Sequence, residues 1–301
     1  MNRVRPTATV PSLNLPDLLE LLDLQPGDAP AGSRTSTWTG RAQQHPADRV
    51  FGGLLLAQAL CAAGRTAGPG QRALSLQADF LAGVPTTSPL VWQVTRLSDG
   101  PSLSTRRSTL LSEDGSELFT AVTRWGTVRD DLPSHHATRP AAAPDPDGLP
   151  GLVERFRDNH RVPAWWRMER PVHFRHVEAP PYLAAEGSGN RQTVFVATTE
   201  PLPPEPVVRA AMVGYVTDMS ILEPAFRALG SARHAPGSRI LSLTHTLTFH
   251  ADPDLTDWHQ FDCRVESVAH GRAHGVGELF DAAGRHVATA AQLGLVKTVV
   301  S

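Results

Sequence analysis

The pattern of hydrophobic and polar positions repeats one succession of elements twice along this chain. In the first half, residues 50–64 are apolar on almost every side, which is typical of a buried helix. Segments with strand-like alternation and flanking turn signals surround this helix, and they lie at residues 36–43, 74–81, 90–113 and 116–125. The pattern therefore predicts a strand, a buried helix and then a run of antiparallel strands.

The second half shows the same succession after a segment rich in proline and alanine. Its predicted helix covers residues 204–219. Its strand-like segments lie at residues 171–178, 192–200, 241–250, 258–268, 272–281 and 285–296. The tripeptide Leu-Ser-Leu occurs at residues 74–76 and again at 241–243, in matching positions of the two halves. We interpret the chain as a tandem duplication.

Each predicted unit is an antiparallel sheet wrapped around one central hydrophobic helix, which is the hotdog architecture. A single unit of this kind leaves a sheet edge uncovered, so such units pair. We therefore expect an α+β double hotdog with an N-terminal unit at residues 1–128, a linker at 129–168 and a C-terminal unit at 169–301. Association of such double units into homo-oligomers is left open.

Composition and charge narrow the function. The formal net charge of −2 gives no reason to expect nucleic acid as a partner. Cys61 and Cys263 lie far apart and form no C-x-x-C pair, so neither a disulfide framework nor a zinc site is expected. The N-terminus lacks the apolar region of a signal peptide, and no segment is long and apolar enough to span a bilayer. We expect a cytoplasmic protein without metal or cofactor.

Five motifs, in order along the chain, resemble the acyl-CoA thioesterase II (TesB-like) family. They are RVFGGLLLAQAL and DGPSLSTRR in the first half, and ERPVHFRHVE, GYVTDMSIL and ATAAQLGLV in the second. The resemblance extends from about Trp38 to Val296 and omits only the linker. It implies a double hotdog hydrolase of lipid metabolism that converts fatty acyl-CoA to the free acid and CoA, with no metal and no covalent intermediate.

The same resemblance implies a catalytic group made of an aspartate, a serine or threonine, and a glutamine. By motif these fall on Asp218, Ser242 and Gln292. The chain departs from the family at Thr244, where members usually carry an aspartate, and at Thr248, where they usually carry a tryptophan. Ser242 and Thr244 both stay candidates for the site hydroxyl.

The residues themselves support part of this assignment. Asp218 shares an apolar stripe of its helix with Tyr215 and Leu222, where a carboxylate is costly unless hydrogen-bond donors satisfy it. Gln292 lies among alanines and leucines, so its amide either serves catalysis or is a satisfied buried group. A carboxylate can orient and deprotonate a water, while hydroxyl and amide groups fix its position. The chain shows no G-x-S-x-G nucleophile motif.

The alternation of side chains along the strand argues against a contact between Ser242 and Asp218. Along residues 241–250 the hydroxyl side chains share one face, and Leu243, His245 and Leu247 share the other. If the second face meets the helix, Ser242 points away from Asp218 unless a β-bulge turns it back. We interpret the hydroxyl row as a sheet face in or beside the acyl groove, and we assign His245 a structural role.

Two glycines and two arginines are candidates for substrate binding. Gly52 and Gly53 begin the first helix, where backbone N–H groups would meet a developing oxyanion, although tight helix packing explains them equally well. Arg106 and Arg107 are candidates for contact with the phosphates of CoA. Because adjacent strand residues face opposite ways, at most one of the two arginines does so.

Two other functions compete with hydrolysis. A hotdog enoyl-thioester hydratase or dehydratase would use His45 and Asp48 as an acid–base pair, although this segment also fits a turn and a helix cap. A non-catalytic module would bind acyl-CoA without turnover. Release of CoA from a saturated acyl-CoA distinguishes a thioesterase from both.

Overall fold

The computed structural model describes residues 12–28, 32–45, 48–139, 143–184 and 189–298. Elements of the first half are α1 (Leu15–Leu22), β1 (Gln25–Pro26), β2 (Thr35–Gly40), α2 (Gly52–Gly64), β3 (Gln71–Phe80), β4 (Leu90–Asp99), β5 (Leu103–Leu111) and β6 (Glu117–Thr127). Elements that follow are α3 (Leu152–Phe156), β7 (Val172–His176), β8 (Arg191–Thr198), α4 (Pro206–Ser220), α5 (Pro224–Ala228), β9 (Arg239–Phe249), β10 (His259–Ala269), β11 (Arg272–Phe280) and β12 (His286–Lys297). Both predicted helices and every predicted strand are found.

The twelve strands in the described ranges form one antiparallel sheet with the order β1-β2-β4-β5-β6-β3-β9-β12-β11-β10-β8-β7. The second half repeats the strand order of the first, and β3 and β9 join the two halves. In the chain, α2 precedes β3 and α4 precedes β9. The structure therefore places one helix at the same point of each half.

The two long helices pack against each other inside the curved sheet. A Cβ atom on Gly53 would lie 2.4 Å from the backbone oxygen of Tyr215, and one on Gly214 would lie 3.3 Å from Leu56 Cβ. Because both contacts need the small residue, the start of α2 lies close to the last turns of α4. No helix in the described ranges has the length and apolar character that crossing a bilayer requires.

The segment between the halves contributes to the core. Residues 129–168 contain α3 and two 3₁₀ turns, at Pro146–Gly148 and Ala164–Arg167. Trp165 and Trp166 are buried, and the guanidinium of Arg170 stacks over both rings. The predicted linker is therefore packed against the rest of the protein.

The sheet opens between β3 and β9, the two strands that join the halves. The pairing of β3 with β9 runs from Ser75 opposite Thr248 to Asp79 opposite Thr244. Beyond that pair, residues 239–242 of β9 are paired with β12. The end of β3 and the start of β9 therefore flank an opening in the sheet.

Candidate active site

A cleft of about 420 Å³ lies at this opening. Its apolar walls include Val50, Phe51, Leu55, Phe80, Val84, Met219 and Leu222, and its polar walls include His45, Arg49, Asp218, Arg233, Ser242 and Gln292. Apolar walls with a few convergent polar groups are typical of a small-molecule site. Residues from both halves of the chain contribute to it.

The structure brings Asp218, Ser242 and Gln292 into one hydrogen-bonded group. Asp218 lies partly buried in the last turn of α4, where the helix dipole disfavours a negative charge. Its Oδ1 accepts a hydrogen bond from Ser242 Oγ at 2.9 Å and another from Gln292 Nε2 at 3.0 Å. Gln292 Nε2 also lies 2.7 Å from Ser242 Oγ. These two donors stabilise a carboxylate that its own helix disfavours.

A β-bulge turns the Ser242 side chain to the face of the sheet that Asp218 occupies. In the pairing of β9 with β12, Thr244 lies opposite Leu293 and Ser242 lies opposite Gly294, so Leu243 is an extra residue. One extra residue reverses the alternation, and Ser242 therefore faces the helix side together with His245.

The other hydroxyls of this strand lie on the outer face of the sheet. Thr244 is opposite Asp79 of β3, whereas the hydrogen bond to Asp218 comes from Ser242. Thr246 and Thr248 are exposed. The hydroxyl row is therefore a sheet face beside the cleft, and of its members only Ser242 lines the cleft.

The two glycines at the start of α2 have different surroundings. A Cβ atom on Gly52 would lie 2.7 Å from Asp218 Oδ2, so this position meets the second carboxylate oxygen. Gly53 instead packs against the Tyr215 backbone and the Phe51 ring. N–H groups in a first helical turn have no acceptor within their own helix. Asp218 Oδ2 therefore lies close to the N-terminus of α2, which is the positive end of that helix.

His245 has a closer relation to the site than the sequence indicated. Its Nδ1 lies 2.7 Å from Gln292 Oε1, and because that oxygen only accepts, Nδ1 carries the hydrogen. Its Nε2 lies 3.1 Å from Thr217 Oγ1. Burial lowers the pKa of His245, although Asp218 and Gln292 act in the opposite direction, so the ring is neutral at pH 7. The ring thereby fixes the Gln292 amide with Nε2 towards Asp218.

The acid–base pair of the hydratase alternative is not set for proton transfer. Burial lowers the pKa of His45 to about 4, and Arg170 and Arg233 add to the effect. His45 lines the cleft, whereas Asp48 is exposed and adopts a left-handed backbone conformation with a φ of 52°. A histidine that is neutral and rests beside two guanidinium groups is a poor general acid at pH 7.

Arg106 is not available to a phosphate. Its side chain is buried and donates to the backbone oxygens of Thr66 and Ser98 and, at 2.5 Å, to Asp99 Oδ1. Arg107 is exposed on β5, in the first half of the sheet. Of the two arginines named as candidates for the CoA phosphates, Arg106 is therefore excluded.

Comparisons with known proteins agree with this fold and identify the family. The chain matches the acyl-CoA thioesterase N-terminal domain over residues 40–126 and the acyl-CoA thioesterase C-terminal domain over residues 130–296. It is 25% identical to acyl-CoA thioesterase 2 of Haemophilus influenzae over 267 residues, which cover 86% of this chain and 91% of that protein. It is 24% identical to human acyl-coenzyme A thioesterase 8 over 291 residues, which cover 92% and 88% of the two chains.

Solved structures show the same similarity. The tesB protein of Mycobacterium avium subspecies paratuberculosis superposes with a TM-score of 0.76 at 26% identity. The superposition covers 95% of this chain and 100% of that protein. A protein of unknown function with a hot dog fold, from Alicyclobacillus acidocaldarius, superposes with a TM-score of 0.73 at 21% identity, covering 94% and 98% of the two chains. The chain therefore belongs to the acyl-CoA thioesterase II (TesB-like) family and is a thioesterase with a hotdog fold.

Proposed function

We propose that this thioesterase hydrolyses acyl-CoA by directing a water molecule from Asp218 onto the thioester carbonyl. One observation carries the proposal: the two carboxylate oxygens of Asp218 have different surroundings. Oδ1 accepts from Ser242 and Gln292, whereas Oδ2 lies beside Gly52, and both Asp218 and Gly52 line the cleft. The first oxygen fixes the side chain, and the second is placed to accept a proton from water.

The reaction then proceeds in two steps. Water attacks the carbonyl carbon as Asp218 Oδ2 takes its proton, and the carbonyl oxygen becomes an oxyanion. The N–H groups of Gly52 and Gly53, at the positive end of α2, stabilise that charge. Collapse of the tetrahedral intermediate breaks the carbon–sulfur bond, and Asp218 returns the proton to the CoA thiolate. The products are the free acid and CoA.

We also infer that the chain is a tandem pair of hotdog units, at residues 1–128 and 169–301, joined by residues 129–168. The repeated strand order and the equivalent places of α2 and α4 support this division. Gly52 comes from the first unit, and Asp218, Ser242 and Gln292 come from the second. Neither unit holds the whole site, and the pair is expected to work in the cytoplasm without metal or cofactor.

An isotope experiment tests the route of the water. The enzyme is mixed in excess with a saturated acyl-CoA in H₂¹⁸O, and a thiol reagent follows CoA release. Direct attack of water places ¹⁸O in the free acid in a single turnover. An anhydride with Asp218 that water opens at the Asp218 carbonyl would place ¹⁸O in that carboxylate, which peptide mass spectrometry detects, and one opened at the acyl carbonyl would be trapped by hydroxylamine as a hydroxamate of Asp218. Either result would contradict the proposal. Absence of CoA release across a panel of chain lengths would contradict hydrolysis itself.

We further propose that His245 is a positioning residue that fixes the Gln292 amide. In His245→Leu the donor to Gln292 Oε1 is lost, and we expect kcat to fall roughly tenfold to a hundredfold, as when other orienting partners of functional groups are removed. In His245→Asn the side-chain amide nitrogen replaces Nδ1 as the donor, so most of kcat should return. Steady-state CoA release gives kcat and KM, and thermal unfolding reports the fold.

A purely structural histidine would behave differently. Both substitutions would then lower the unfolding temperature together, and activity would follow stability. Equal kcat values in the two folded variants would reject the positioning role.

A further inference from the structure

Three cations stand together on the outer face of the sheet beside the cleft. They are Arg239 on β9, Lys297 on β12 and Arg272 on β11, and we refer to them as the basic patch. Arg239 lies directly opposite Lys297, and Arg272 lies opposite Leu295, two residues before Lys297. All three cations are exposed. The register therefore brings them to adjacent positions on three neighbouring strands.

This arrangement is unfavourable for the protein alone. Like charges directly opposite each other on paired strands are destabilising. Across the described ranges, every ion pair involves other residues, so no carboxylate compensates the basic patch. The chain as a whole carries a formal charge of −2, and Lys297 is its only lysine. Concentrated positive charge without an internal partner suits an anionic ligand.

The basic patch adjoins the cleft along β9, where Ile240, the residue after Arg239, lines it. The cleft opens where β3 leaves β9, and Leu241, which lines it, is 46% exposed and two residues from Arg239. Three residues of strand from Ser242 to Arg239 span about 10 Å, and five from Gln292 to Lys297 span about 16 Å. A pantetheine arm in extended form bridges a gap of this order between the thioester and the phosphates of CoA.

The charges around the opening favour a phosphate on the β9 side rather than on the β3 side. Asp79, on the opposite strand β3, is exposed and would repel a phosphate. Arg49 is an exposed cation that lines the cleft itself, and its guanidinium lies against Gly83. One isolated arginine offers less charge than three cations in register.

We propose that the basic patch binds the phosphate groups of the CoA nucleotide. The inference rests on the proposed function, because acyl-CoA supplies the anion. Guanidinium groups of Arg239 and Arg272 suit bidentate contact with phosphate oxygens, and the ammonium of Lys297 adds a point charge. The basic patch takes the role for which the sequence offered Arg106 and Arg107 as candidates.

The test compares two substrates that differ only in the nucleotide. Wild type and Arg239→Glu/Lys297→Glu are assayed with an acyl-CoA and with the same acyl group on pantetheine, which lacks the phosphates. We expect KM for acyl-CoA to rise at least tenfold in the variant, with kcat little changed and KM for acyl-pantetheine unchanged. We expect KM of the wild type to rise with added salt and this rise to flatten in the variant, because screening acts on the phosphate contacts.

The matched control is a double variant with the same charge change, made at two exposed strand positions that the sequence did not connect with phosphate binding. An unchanged KM for both substrates is expected of Arg124→Glu/Arg191→Glu, which alters exposed arginines of β6 and β8 outside the cleft. An unchanged KM for acyl-CoA in the patch variant would overturn the inference, as would an equal rise for both substrates. A tenfold rise in Arg49→Glu alone would overturn it by placing the phosphates across the opening. Failure of the proposed function is separate, because wild type would then hydrolyse neither substrate.

Discussion

Asp218→Asn is expected to lower kcat for acyl-CoA hydrolysis by about 10²–10⁴-fold, the range associated with loss of a general base. The amide keeps the shape of the carboxylate, and its oxygen can still accept from Ser242 and Gln292. Its NH₂ group then takes the place of Oδ2 and cannot accept a proton from water. The fold should persist, because the substitution also removes a negative charge from the last turn of α4, where the helix dipole disfavours it.

CoA release and thermal unfolding together check this prediction. The matched control is Asp79→Asn, an exposed aspartate on the outer face of the neighbouring strand β3, which should keep wild-type kcat. Turnover within tenfold of wild type in folded Asp218→Asn would remove Asp218 from the chemistry.

Gly52→Ala is expected to lower kcat by roughly 10²-fold without loss of stability. The added methyl group would lie 2.7 Å from Asp218 Oδ2 and 3.0 Å from Phe80 Cε1, so the carboxylate must move. Displacement of a reacting group by about 1 Å can cost a hundredfold in rate. The neighbouring atoms are the ends of side chains, which can shift, and the fold therefore tolerates the change.

Gly53→Ala provides the comparison, because a methyl group on Gly53 would contact a backbone atom as well as side-chain atoms. Its methyl group would lie 2.4 Å from the backbone oxygen of Tyr215, and the backbone of α4 cannot yield without moving the helix. We expect a loss of stability of about 1–3 kcal/mol, the usual cost of overpacking. Denaturant unfolding and kcat separate the two variants. A stable, fully active Gly52→Ala would show that Oδ2 need not occupy its present place.

The hydrophobic pattern was sufficient for most of the secondary structure. The helices α2 and α4 are apolar nearly all round because both are buried between the sheet and each other, and burial on every side leaves a clear signal. The short helices were not predicted, since helices of five to eight residues depend on packing rather than on their own propensity. Asn14 does cap α1 with Asp17, a signal that a local reading of the sequence can use.

The sequence also predicted one part of the candidate site and left another part open. The residue types and motifs pointed to Asp218, Ser242 and Gln292, and the structure brings these three together. The sequence left Ser242 and Thr244 as alternatives and assigned His245 to structure alone. Those questions depend on where β9 meets β12, since the bulge at Leu243 decides which side chains face the helix.

The sequence by itself determined the order of helices and strands, the repeat of that order and the residue types of the site, because periodicity and motifs are local properties of the chain. The tertiary structure decided which hydroxyl reaches Asp218, which glycine faces its second oxygen and where the sheet opens. Each of these depends on strand register and helix packing between segments far apart in the chain, and such contacts leave no periodic trace in either segment alone.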